Sequence, residues 1–167
     1  MRSIATIGVY GFDRETFLEA LAAAKVGLLL DVRQRRGVRG SEYAWANARR
    51  LQDALADAGI GYEHRKELAP TTELRQILYA ADAERGEGKR SRTVLDPEFV
   101  DRYEREILDP VNLGPLAEAL DGVLAALLCV ERDPEACHRS LIAGRLESEW
   151  GFRVRHLHPP GPDRAAG

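Results

Sequence analysis

Cysteine and lysine are scarce in this chain of 167 residues, and long apolar runs are absent. Its two cysteines, Cys129 and Cys137, are too few for a disulfide framework, so a reducing compartment is expected. No apolar stretch approaches the ~20 residues that cross a bilayer. The first residues lack the apolar run and small-residue cleavage site of a secretory signal. These absences predict a soluble, cytoplasmic protein with no membrane partner.

The basic residues are almost all arginines. Of the 24 Lys and Arg residues, only Lys25, Lys66 and Lys89 are lysines. A GC-rich genome favours arginine codons, so the number of arginines carries no function by itself. The net charge of −3 argues against a general nucleic-acid coat. The phosphate-binding patterns G-x-x-x-x-G-K-[ST] and G-x-G-x-x-G are also missing.

Two apolar runs, "LLLDVR" (28–33) and "VLAALLCVE" (123–131), indicate buried strands. Unbroken runs of this kind suit strands buried on both faces, as in parallel sheets. Segments with helical periodicity lie between the predicted strands. We therefore expect an α/β layered domain with a mostly parallel central sheet flanked by helices. The single domain is expected to span residues 1–158, with a disordered tail at 159–167.

Chemically active side chains follow both apolar runs. In open parallel sheets, ligands bind beyond the carboxyl ends of the strands. Asp31 and Arg33 end the first run, and Cys129 and Glu131 end the second. The loop after the first run holds further arginines: Arg35, Arg36 and Arg39. Guanidinium groups there could bind an anion, although a solvated basic loop and a structural Asp31–Arg33 ion pair are alternatives.

The stretch "DPEACHRS" (133–140) has the Asp-Pro start of a helix. A thiol near a helix start, beside an arginine and a histidine, can have a lowered pKa and gain nucleophilicity. This favours Cys137 as a nucleophile, or an anion held by His138, Arg139 and the free amides of the helix start. Simple packing of both cysteines is the alternative, because free cysteine is among the most buried residue types.

A metal site is not expected from the spacing. The cysteines follow a C-x₇-C pattern, whereas structural zinc sites use C-x₂₋₄-C pairs. Neighbouring helical residues point about 100° apart, so Cys137 and His138 should not reach one ion. A rhodanese-type anion loop is also disfavoured, because Glu131, Asp133 and Glu135 would repel a thiolate and no glycine lets amides converge. The sequence requires no cofactor.

The strings "TIG" near the start, "LLLDVR" and "LLCVERDPEACHRSLIAGRL" together resemble the domain of unknown function 488 (DUF488) family. The resemblance runs over about residues 3–156 and implies an α/β domain, without an established reaction. It places functional weight on seven residues: Asp31, Arg33, Cys129, Glu131, Cys137, His138 and Arg139. The chain departs from the family at Val9-Tyr10, where many members have His-Ser, and at "ELAP" (67–70), where many have Leu-Gly-Gly.

We therefore expect an enzyme-like domain that binds an anionic, phosphorylated or nucleotide-like ligand at the strand ends. Glu131, Cys137 and His138 are the catalytic candidates. The ligand-binding candidates are Asp31, Arg33, Cys129 and Arg139. A nucleic-acid-binding module using the loop 33–39, and a non-catalytic structural or interaction domain, remain alternatives. The sequence does not determine whether the chain forms a homo-oligomer.

Overall fold

The computed structural model describes residues 2–88 and 91–161. Its strands form one five-stranded, all-parallel sheet in the order β3-β2-β4-β1-β5. The strands are β1 Ser3–Ile7, β2 Leu28–Asp31, β3 Gly61–His64, β4 Ala125–Leu128 and β5 Arg153–Leu157. This architecture confirms the predicted layered α/β class.

The helices of the described residues are α1 Arg14–Ala23, α2 Ala48–Asp57, α3 Thr72–Glu84, α4 Pro97–Tyr103, α5 Gly114–Ala119 and α6 Arg139–Trp150. Short 3₁₀ turns occupy Ser41–Ala46, Lys66–Leu68 and Pro134–Ala136, and a π-helical turn, Glu104–Leu108, continues α4. Across the part of the chain that the structure describes, every helix is too short or too polar to cross a membrane.

Strand β4 lies at the centre of the sheet, and all of its residues are buried. It pairs with β1 on one side and with β2 on the other, so that Leu128 is in register with both Ile7 and Asp31. Burial on both faces explains its unbroken apolar run. The residues that follow β1, β2 and β4 therefore meet at the same edge of the sheet.

Gly8, the glycine of "TIG", allows β1 and the segment after β4 to approach closely. The backbone amides of Val9 and Tyr10 both donate to the carbonyl of Val130, at 3.0 Å. A Cβ atom on Gly8 would lie 1.9 Å from the carbonyl oxygen of Glu131. No side chain fits in that gap, so the close contact requires glycine.

The helix predicted from Pro134 begins later than expected. Pro134–Ala136 is a single 3₁₀ turn, Cys137 is extended (φ −136°, ψ 142°), and α6 starts at Arg139. Two carbonyls that a helix from Pro134 would need are taken by another segment. The carbonyl of Glu135 accepts from the amide of Leu95, and that of Ala136 accepts from the guanidinium of Arg92.

Other predicted boundaries also shift. The sequence also predicts one helix over about residues 41–58. In the structure this segment is divided by Asn47, which is extended and whose Oδ1 accepts from the amide of Val38 at 2.7 Å. In the predicted tail, Pro159 is buried, and residues 162–167 lie outside the described ranges. The polar stretch "RGEGKRSRT" (85–93) predicts a flexible loop. Its residues 89–90 also lie outside the described ranges, and Arg92 near its end is buried.

Candidate functional site

A cavity of about 860 Å³ opens at the carboxyl ends of β2 and β4. Among the residues that the structure describes, the charged ones that line it are five arginines and a single carboxylate: Arg33, Arg35, Arg39, Arg75, Arg92 and Glu131. Its inner end is formed by Cys129, Cys137 and His138, whose exposures are only 5%, 1% and 5%. The five arginines are called here the cationic wall. The cavity therefore joins the cationic wall to buried thiol and imidazole groups.

Cys129, Cys137 and His138 form a compact group, called here the thiol–imidazole cluster. The Sγ of Cys129 lies 3.6 Å from Nδ1 of His138, and the Sγ of Cys137 lies 3.8 Å from the same atom. The three donor atoms all lie within 4.8 Å of one another. The structure thus brings together the two cysteines and the histidine that the sequence singled out.

The imidazole of His138 is held in one orientation. Its Nε2 lies 2.9 Å from the carbonyl oxygen of Val32, the residue that follows β2. A carbonyl only accepts hydrogen bonds, so Nε2 carries a hydrogen and Nδ1 faces the sulfur atoms. The ring of Tyr103 packs edge-on against the imidazole at 5.5 Å between centroids.

Glu131 connects the thiol–imidazole cluster to a buried ion-pair chain. Its Oε2 accepts from the Sγ of Cys129 at 3.3 Å, and its Oε1 accepts from Arg92 at 3.0 Å. Arg92 also donates to Asp82, from Nε at 2.9 Å and from Nη2 at 2.7 Å. All of these side chains are buried, so each charge depends on its partner.

Sequence reasoning missed Asp82 and Arg92. Asp82 follows Leu74 and Leu78 at four-residue spacing on the buried face of α3, and an acid that continues an apolar stripe is a signal of a buried pair. Arg92 had no such signal, because it belongs to a polar loop rich in glycine and charge.

The electrostatics of the thiol–imidazole cluster differ between the two thiols. Burial raises the pKa of Cys137, but the hydrogen bond from Cys129 and the charges of His138 and Arg139 outweigh burial and lower that pKa well below its ordinary value. Burial raises the pKa of Cys129, and the neighbouring Cys137 and Glu131 raise it further. Burial lowers the pKa of His138, yet the Cys137 sulfur outweighs burial and raises it. The surroundings therefore favour loss of the proton from Cys137 over loss of the proton from Cys129.

Arg139 is fully buried, and its guanidinium group holds the backbone of the segment after β4 in place. It donates to the carbonyl of Glu131 at 2.6 Å, to the carbonyl of Arg132 at 3.2 Å and to Oγ1 of Thr6 at 3.2 Å. It is not among the described residues that line the cavity. These contacts position the segment after β4.

Asp31 and Arg33 form a bidentate ion pair with both hydrogen bonds at 2.8 Å. Arg33 also donates to the carbonyl of Ala46 at 2.9 Å, and the Tyr62 hydroxyl donates to Asp31 at 2.6 Å. Asp31 is fully buried and is not among the described residues lining the cavity, whereas Arg33 does line it. The structural pairing that the sequence left open is thus present.

The arginine loop faces the same cavity. Arg35 and Arg39 line it, while Arg36 donates to the hydroxyl of Tyr62 at 3.3 Å. Both departures from the family pattern also reach the cavity, because Tyr10 and Pro70 line it. These two positions therefore shape the space in which a ligand would lie.

The structure does not have the helical geometry on which the spacing argument against a shared metal ion rested. That argument assumed that Cys137 and His138 are consecutive residues of a helix and point apart. Cys137 is instead extended and precedes α6, so both side chains reach the same point beside Cys129. A C-x₇-C spacing thus reaches the geometry that a regular helix would prevent.

A comparison with protein families identifies the family of this chain. The model of the domain of unknown function DUF488 matches residues 13–146, most of the chain. The chain belongs to the DUF488 family. No curated protein and no solved structure matches it. The function of the DUF488 domain is unknown, so the cavity and the thiol–imidazole cluster are the features that bear on the function of this chain.

Proposed function

We propose that this DUF488 protein binds an anionic, phosphorylated or nucleotide-like molecule in the cavity and presents it to the thiol–imidazole cluster. The observation that carries the proposal is the charge of the lining: the described residues include five arginines against one carboxylate, around a space that reaches Cys129, Cys137 and His138. The volume of about 860 Å³ lies within the range of small-molecule sites.

The arginines of the wall have different roles in this proposal. Arg33 and Arg92 are already neutralised by buried carboxylates, and they shape the cavity. The excess positive charge comes from others, including Arg35, which is exposed, and Arg75. Arg75 donates to Oε1 of Gln34 and to the hydroxyl of Tyr79, both at 2.7 Å, and these neutral oxygens do not cancel its charge. Such guanidinium groups match the oxygens of a phosphate.

The catalytic candidates are buried, whereas Arg35 and Arg39 of the cationic wall are exposed. Glu131, Cys137 and His138 line the inner end of the cavity, where the reacting part of a bound ligand would lie. Arg139 contributes by holding the carbonyls of Glu131 and Arg132. An anion held at the mouth would thus extend its other end toward these three groups, which supports an enzyme-like function.

Calorimetric titration with inorganic phosphate and with a panel of nucleotides, at low salt, tests the proposal. Arg35→Gln and Arg75→Gln should each weaken the affinity about tenfold or more, because a hydrogen bond to a charged group is worth roughly 1.5–3 kcal/mol. Arg145→Gln is the matched control: this α6 arginine pairs with Asp109 and is not among the described residues that line the cavity.

Two results would contradict the proposal. One is the absence of any anion binding at low salt, and the other is equal affinity in the wild type and both cavity variants. An oligonucleotide that binds where phosphate and nucleotides do not, with a steep salt dependence, would instead favour the nucleic-acid alternative for the loop 33–39.

A further inference from the structure

The donor atoms of the thiol–imidazole cluster have the separations of metal ligands. A tetrahedral zinc ion with Zn–S of about 2.3 Å and Zn–N of about 2.1 Å holds its sulfur and nitrogen ligands roughly 3.6 Å apart. The two sulfur-to-Nδ1 distances in the cluster are 3.6 and 3.8 Å. The two sulfur atoms lie within 4.8 Å of each other, compared with about 3.8 Å on a tetrahedral zinc ion, so a contraction of at most about 1 Å would complete three vertices of a tetrahedron.

The orientation of His138 also fits a ligand. Metal-bound histidines generally donate the hydrogen of their other ring nitrogen to a carbonyl or carboxylate, which directs the ligating lone pair. Nε2 of His138 donates to the carbonyl of Val32 at 2.9 Å, and Nδ1 faces both sulfur atoms. This arrangement directs Nδ1 toward the point between the two thiols.

Glu131 lies beside the thiol–imidazole cluster but is not one of its three mutually close donor groups. Its Oε2 contacts the Sγ of Cys129 at 3.3 Å, while its Oε1 is held by Arg92. Among the described residues, the group whose donor atoms are all mutually close consists of Cys129, Cys137 and His138. All three line the cavity, so the fourth position of an ion bound to them faces the cavity.

We propose that Cys129, Cys137 and His138 bind one Zn²⁺ ion, with the fourth coordination position open to the cavity. Sulfur and imidazole donors select zinc over Mg²⁺ and Ca²⁺, which prefer oxygen. Three protein ligands and an open position are the composition of catalytic zinc sites. The open position is available to water or to an oxygen of a bound ligand. This inference does not depend on whether the cavity binds an anion.

Cobalt substitution tests the site in the full-length chain. The reduced protein is stripped with a chelator and titrated with Co²⁺, which reports thiolate ligation by a charge-transfer band and tetrahedral geometry by its visible bands. We expect one equivalent of Co²⁺ to produce both signals and Zn²⁺ to abolish them. Zn²⁺ should also raise the melting temperature, because it binds only the folded site, whereas Mg²⁺ should not.

Variants locate the ion. Cys137→Ser and His138→Gln each remove a ligand and should weaken zinc binding by more than about 100-fold, since even the loss of an outer-shell partner costs about 10- to 100-fold. His156→Gln is the matched histidine control, since His156 pairs with Thr6 outside the cluster, and it should keep both cobalt signals. Circular dichroism of each metal-free variant establishes that it is folded.

X-ray absorption of the zinc-loaded wild type needs no variant. A first shell with two sulfur atoms and one imidazole nitrogen supports the site, and a shell of oxygen or nitrogen alone overturns it. The absence of the cobalt charge-transfer band from wild-type protein, with no melting shift in Zn²⁺, also overturns it. Phosphate titration of the metal-free protein reports on the anion proposal separately, so one proposal can fail without the other.

Discussion

His138 donates from Nε2 to the backbone carbonyl of Val32 at 2.9 Å, across 106 positions of the chain. The bond joins the residue before α6 to the end of β2. The other ring nitrogen, Nδ1, faces the thiol of Cys129 at the end of β4. Strands β2 and β4 are neighbours in the sheet. The bond from Nε2 to the carbonyl at the end of β2 therefore directs Nδ1 toward the thiol at the end of β4. The geometry of the cluster therefore depends on the contacts that hold these strand ends together.

Gly8→Ala should disrupt those contacts. The added methyl group would lie 1.9 Å from the carbonyl oxygen of Glu131 and 3.3 Å from Nη1 of Arg139, so β1 and the segment after β4 must separate. We expect the free energy of unfolding to fall by about 2–3 kcal/mol, the upper range of overpacking. Urea denaturation measures it. If the variant is as stable as the wild type, β1 and the segment after β4 can separate without a cost in free energy.

Gly144→Ala is the matched substitution with the opposite sign. Gly144 lies inside α6, and a Cβ atom there meets nothing within 4 Å. Alanine should raise the free energy of unfolding by roughly 0.5–1 kcal/mol, because glycine loses more backbone freedom in a helix. The same denaturation assay applies, and a loss of stability would contradict the open space described around this residue.

Arg92→Gln should destabilise the protein strongly. The substitution leaves the carboxylates of Asp82 and Glu131 buried without their common cation. Breaking a buried ion pair in this way costs about 3–5 kcal/mol. Thermal and urea unfolding check the value, with Arg145→Gln as an exposed-pair control expected to cost less than about 1 kcal/mol. Equal effects of the two substitutions would refute the importance of the buried chain.

Arg139→Lys distinguishes a positioning role from the ligand contact that the sequence suggested. Lysine keeps the charge but cannot reach Thr6, Glu131 and Arg132 together, so stability should fall by about 2–3 kcal/mol. The phosphate affinity of the folded variant should change little. A large loss of phosphate affinity with unchanged stability would instead support direct ligand contact by Arg139.

His156 should make stability depend on pH. Burial lowers the pKa of this histidine from its ordinary value of 6.5, and the charge of Arg139 lowers it further. The unfolded chain then binds the proton more readily than the folded chain. The histidine's contribution is fully present above pH 6.5 and is lost as pH falls from 6.5 through the lowered pKa.

The difference between the wild type and His156→Gln isolates this contribution. Unfolding free energies measured from neutral to mildly acidic pH should fall less steeply in the variant, since it lacks the titrating ring. NMR titration of the wild type should place the His156 pKa below 6.5. A steeper fall in the variant, or a raised pKa, would be inconsistent with the half-buried environment of this ring.

The sequence predicted the layered α/β fold because its strongest signals are local. Apolar runs indicated β2 and β4, and three residues at the ends of those runs, Arg33, Cys129 and Glu131, do line one cavity. The start of α6 was predicted incorrectly at Pro134. Leu95 and Arg92 take the carbonyls that an earlier helix would use, and such competition from a distant segment leaves no pattern in residues 133–140.

The sequence by itself determined which residues end the buried strands, because burial of a strand requires an apolar run and its end allows polar residues. Only the tertiary structure decided the partners of those residues. Arg92, 39 positions before Glu131, joined Asp82 and Glu131, and the extended backbone at Cys137 put its thiol beside His138. Such pairings follow from strand order and from competition for buried hydrogen-bonding groups, which depend on residues far apart in the chain.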